Sequence, residues 1–143
     1  MREMALTVTP ELLGVAPGTV WGVLLDVPVS GGFATIVALA DGTVSMYTSS
    51  GGGVIGAGER PEVASAGQRL LAEVAARVEL FRDTPDEGLP PTGSVRIHAL
   101  GPAGHRNADM PVESFWGREG HELAPLIAAA QDVIAAIRRA AGG

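Results

Sequence analysis

Three histidines, one serine- and glycine-rich run and one aromatic pair are the groups in this 143-residue chain with the chemistry to bind or react. The histidines are His98, His105 and His121, and Asp109 and Glu122 are the acids that could join them at a metal. Their spacing matches no ligand motif. His105 and Asp109 share a strand parity, but His98 and His105 fall on either side of an expected hairpin turn. They read as surface histidines on a sheet, and no metal and no cofactor is expected. A Ser-His-Asp hydrolase is recognised by geometry and not by order, so one using His98 or His105 stands as a third functional reading. The chain has no G-x-S-x-G elbow to favour it. Asp26, Asp41 and Asp109 lack paired-carboxylate context, and Asp41 is explained by a turn.

The run Ser49-Ser50-Gly51-Gly52-Gly53-Val54-Ile55-Gly56 contains the G-x-G-x-x-G spacing of dinucleotide loops. Its surroundings do not fit. The preceding strand belongs to an antiparallel hairpin, the next helix starts about five residues too late, and Glu73 and Glu79 fall in mid-helix. Consecutive glycine amides beside a helix N-terminus can still hold a small anion. The candidate anion site is Ser49, Ser50, Gly51, Gly52, Gly53 and Arg60; Glu59 opposes it. The simpler role for the run is a connector that reverses the chain.

Phe115 and Trp116 form one of few aromatic clusters, in a loop expected over 114–120. With Ile36 and Tyr47, expected opposite each other on the outer side of a hairpin, they make the candidate partner-binding set.

Composition narrows the classes. There is no cysteine, so thiolate chemistry and disulfides are excluded. All ten basic residues are arginine, which removes Schiff-base and phosphate-loop lysines. A net charge of −6 with scattered arginines argues against nucleic acid, which needs clustered cations. Hydrophobic residues at 46% and charged residues at 18% describe a chain that folds. No signal peptide or membrane span is read, so the cytoplasm is expected.

The elements follow from periodicity. A helical turn is expected over 9–13, then strands over 19–27, 33–40 and 43–48. Asp41-Gly42 predicts a two-residue type I′ turn that sets Leu39 opposite Val44, Val37 opposite Met46 and Ile36 opposite Tyr47. Trp21, Val23, Leu25 and Val27 alternate onto one side of the first strand. An amphipathic helix follows over 61–81, in which Gly67 suggests close packing. Strands over 94–100 and 105–112 and a helix over 122–140 complete the chain. The expected fold is one α+β domain over 1–143, in the order α-β-β-β-α-β-β-α. A five-stranded antiparallel sheet carries two long helices on one face and leaves the other open, or covered by another subunit.

That order resembles the fold of type III secretion chaperones and of the YbjN-like proteins. The resemblance implies a small acidic homodimer that holds an extended client segment, and it transfers no site residue. The pattern Trp21-Gly22-Val23, Ala38-Leu39-Ala40-Asp41-Gly42-Thr43 and Ser50-Gly51-Gly52-Gly53-Val54-Ile55-Gly56 is also similar to an uncharacterised bacterial family from GC-rich genomes. The leading functional reading is a non-enzymatic protein-interaction module, chaperone-like or scaffolding, that dimerises through its open sheet face. The second is a small-anion or nucleotide binder using residues 49–60.

Overall fold

The computed structural model describes residues 9, 11, 14, 20–29, 32–48, 53–54, 60–83, 88–102, 104–117 and 123–142. The helical turn expected over 9–13 falls largely outside them. The elements are β1 (Gly22–Val29), β2 (Gly32–Leu39), β3 (Val44–Thr48), β4 (Gly53–Val54), α1 (Pro61–Ala76), β5 (Arg82–Asp83), β6 (Ser94–Gly101), β7 (Gly104–Pro111), α2 (Val112–Gly117) and α3 (Ala124–Gly142). A 3-10 turn, Val78–Leu80, follows α1.

The fold is α+β with an antiparallel sheet, but the sheet is wider than five strands. Its order is β4-β3-β2-β1-β6-β7-β5, and every pairing is antiparallel. The two additions, β4 and β5, are two residues each and sit at the edges. They are too short to leave an alternating pattern in sequence. The loop expected over 114–120 is in part the short helix α2.

The first hairpin departs from expectation by one residue. Ala38 pairs with Val44, Val37 with Ser45, Ile36 with Met46 and Thr35 with Tyr47. The cause is the turn. Gly42 N–H donates to Leu39 C=O, Leu39 N–H donates to Thr43 C=O, and Gly42 takes φ +96°. This is a turn closed by a left-handed glycine bulge, one residue longer than type I′. The Asp41 carboxylate accepts from Thr43 N–H at 3.0 Å and supports it. A one-residue slip exchanges the faces of a strand. Ile36, Ala34 and Ala38 therefore face the long helices, whereas Val37 and Leu39 face away.

On the helix side, Val23, Leu25 and Val27 of β1 and Val95, Ile97 and Ala99 of β6 meet Val63, Leu70 and Val74 of α1 and Leu126, Ile127 and Ile137 of α3. These positions are buried, as their three- and four-residue spacing on each helix requires. Gly67 permits the closest approach. A Cβ there would lie 2.7 Å from Val44 Cγ2.

The opposite face is not open. Leu24, Val37, Leu39 and Leu100 form a second apolar cluster, joined by Trp21 and Tyr47. Trp21 thus packs away from Val23 and Leu25; it precedes β1, where strand alternation does not yet apply. Beside this cluster, Asp26, Thr35, Ser45, Arg96, His98 and Asn107 are also buried within the single chain.

Candidate functional site

Among the described residues, two places gather functional groups. The first is the polar half of that second face. Antiparallel pairing puts Asp26 of β1 between Thr35 of β2 and Arg96 of β6, and puts His98 beside Asn107 of β7. Thr35 Oγ1 donates to Asp26 Oδ1 at 2.8 Å. His98 Nε2 lies 3.2 Å from Asp26 Oδ2, and His98 Nδ1 lies 2.8 Å from His105 Nε2. The two imidazoles stack with centroids 5.0 Å apart. With Asp26 as carboxylate, His98 donates to it from Nε2; in the neutral imidazole its Nδ1 then accepts from His105 Nε2–H, and in the imidazolium Nδ1 donates to His105 Nε2. The chain Thr35–Asp26–His98–His105 thus spans β2, β1, β6 and β7.

Asp26 and His98 are both 0% exposed. His98 and Asp26 hold each other as a triad's imidazole and carboxylate do, but Thr35 donates to the carboxylate and not to the imidazole. It is not placed as a nucleophile activated by His98. The arrangement ties four strands together. It also corrects the reading of His98 as a surface histidine, because parity away from the helices does not mean solvent here. Asp26 lacks a second carboxylate beside it in sequence; its partners include the Thr35 hydroxyl and the His98 imidazole.

A second polar knot adjoins it. Arg96 makes a two-pronged contact with Asp109, at 2.7 and 2.9 Å, and donates to Gly88 C=O at 3.2 Å. Arg82 of β5 reaches Asp109 at 2.9 Å and Asn107 Oδ1 at 2.9 Å. Burial of the Asp109 carboxyl pushes its pKa up, but hydrogen bonds and charge from Arg96 and Arg82 outweigh this and hold it below the ordinary carboxylate value. Among the described residues no group of three or more His, Asp or Glu is placed to hold a metal. His121 and Glu122 lie outside them.

The second place is a groove of about 220 Å³ on the helix side of β1–β3. Val27 and Val29 of β1, Ala34 and Ile36 of β2, and Met46 and Thr48 of β3 form its floor. Trp116 of α2 and Ile134 and Arg138 of α3 form its wall. Trp116 is 46% exposed and Val29 45%, two of the four large apolar side chains left exposed among the described residues. Phe115 behind Trp116 is fully buried and meets its ring edge-on, with centroids 4.9 Å apart. Gln131 Nε2 donates to Phe115 C=O at 2.7 Å and holds α2 on α3.

The candidate partner-binding residues therefore separate. Ile36 and Trp116 meet at the groove, Phe115 supports Trp116 from the core, and Tyr47 is on the opposite face of the sheet. Ile36 is only 2% exposed and pairs with Met46, so it is no outer-surface partner of Tyr47. Of the candidate anion site, Ser49, Ser50, Gly51 and Gly52 lie outside the described residues. Gly53 pairs with Tyr47 in the sheet, and Arg60 is exposed at the start of α1. Arg138 carried no signal beyond complementing the helix dipole, and Val29 and Thr48 are strand ends that only the tertiary fold brings together. No helix among the described residues is long and apolar enough to cross a membrane. No protein-family model, curated protein or solved structure matches the chain.

Proposed function

We propose that this domain is a non-enzymatic protein-interaction module whose groove grips an apolar side chain of a partner polypeptide. The observation that carries the reading is the meeting of Ile36 and exposed Trp116 across one apolar groove. Aromatic anchors set in apolar concavities dominate interface energetics, and exposed apolar patches mark where partners land. Charge complementarity narrows the partner. Arg138 is the sole charged side chain among the described lining residues, so the apolar group sits next to an anionic one.

The test uses the neutral apolar dye Nile red with the whole chain. Saturable binding at one site, quenching Trp116 and weakened about tenfold by Val29→Glu, is the expected result. Binding that does not saturate, or that ignores Val29→Glu, overturns the reading. Light scattering across concentration identifies the partner: a mass doubling abolished by Trp116→Ala replaces the client with a second copy of this chain.

A further inference from the structure

We infer that the groove reads the C-terminal residue of its partner, taking the side chain into the cavity and the α-carboxylate onto Arg138. The inference rests on the groove being the binding site.

Size is the first argument. A cavity of about 220 Å³ is somewhat larger than the roughly 150 Å³ cavity that holds one benzene. It takes one leucine- or phenylalanine-sized side chain, not a run of them. Charge is the second. Arg69, Arg77, Arg82 and Arg96 each hold a carboxylate of this chain. Arg138, like Arg60, Arg106 and Arg139, holds none among the described residues, but it alone of these lines the groove, where no acidic side chain stands among the described lining residues. A guanidinium fork matches a carboxylate in two-pronged geometry better than it matches a single carbonyl.

Connectivity is the third. The groove offers an apolar cavity and one cation in the same small space. A C-terminal residue carries its side chain and its carboxylate on one Cα, so a single residue fills both. An internal acidic residue next to an apolar one sends the two side chains in different directions from an extended backbone.

The experiment compares an acetylated tetrapeptide ending in leucine as free acid with the same peptide as C-terminal amide, and with octanoate. Binding is read by Trp116 fluorescence and displacement of Nile red. The acid is expected to bind about tenfold more tightly than the amide and more tightly than octanoate. Arg138→Gln, at an exposed position, should bring acid and amide together by weakening the acid and not the amide. Equal binding of acid and amide by the parent overturns the inference and leaves the groove reading standing. So does Nile red binding with no peptide binding. Octanoate binding tighter than the acid peptide overturns the polypeptide source in favour of a small carboxylate. Loss of Nile red binding in the parent fails the groove itself.

Discussion

The two faces of the sheet both bury side chains and are chemically unlike. Toward the long helices, β1 and β6 present only Val, Leu, Ile and Ala. On the other side the same strands bury Leu24 and Leu100 beside Asp26, Arg96 and His98. An apolar face is held by area and shape, and its contribution is spread over many contacts. A buried polar face is held by partners: each group is stable only if its particular neighbour is in place. The helix face therefore supplies bulk stability, and the polar face discriminates between registers. Sliding β6 along β1 by two residues would keep an apolar face apolar, but would take Arg96 from opposite Asp26 and His98 from opposite Leu24.

The comparison breaks most sharply at Asp26. Asp26→Ala leaves Thr35 and His98 without their shared acceptor in a site of zero exposure. The expected loss is about 3–5 kcal/mol in urea unfolding, with coupling above about 1 kcal/mol to His98→Leu in a double-mutant cycle. Additive losses would mean that the two groups do not hold each other.

Leu24 and Leu25 are adjacent on β1, face opposite sides and are both fully buried. Leu24→Ala and Leu25→Ala should each cost about 3 kcal/mol. A cost for Leu24→Ala near zero would restore the open face.

Asp109 sharpens the polar side by pH. Its folded carboxyl is held below the ordinary value, so its stabilising contribution is complete above about pH 4–5. The contribution is lost as pH falls through the depressed folded value. Asp109→Asn removes the carboxylate that nearly buried Arg96 grips with two prongs, so it should lower stability at pH 7 by about 2 kcal/mol and flatten the acid limb of a stability–pH curve. An unchanged acid limb would assign the titration elsewhere.

The smallest effect belongs to the apolar side. Gly67→Ala gains helix propensity but drives a methyl into Val44, for a net loss of about 1 kcal/mol. Val44→Ala in the same chain should reverse the sign of the Gly67→Ala effect. Thermal melts of the four variants read it.

Sequence showed the elements with strong periods: both long helices, the strands of β1, β2, β3, β6 and β7, and the inward parity of Val95, Ile97 and Ala99. It did not show the face assignment of β2, because one extra turn residue closed by Gly42 shifts the pairing with β3, and local propensity cannot count that residue. It did not show the buried polar chain either. Asp26 stands among Leu24, Leu25 and Val27, and that isolated carboxylate in an apolar strand was the available signal; its partners lie 9 and 72 residues away. The groove was half legible. Trp116 and Ile36 were singled out, but Arg138 is brought to them only by the packing of α3.

The edge strands carry a consequence for how the molecule meets others. Each edge of the sheet ends in a strand of two residues, and the outermost, Arg82–Asp83, is charged at both positions and exposed. Long bare edges invite another backbone to add itself, which is the first step of uncontrolled polymer growth. At the β5 edge, a strand this short and this charged offers few free amides to hold an incoming strand. At that edge a partner would have to be read by side-chain shape and charge, not by the generic hydrogen bonds that any polypeptide could offer.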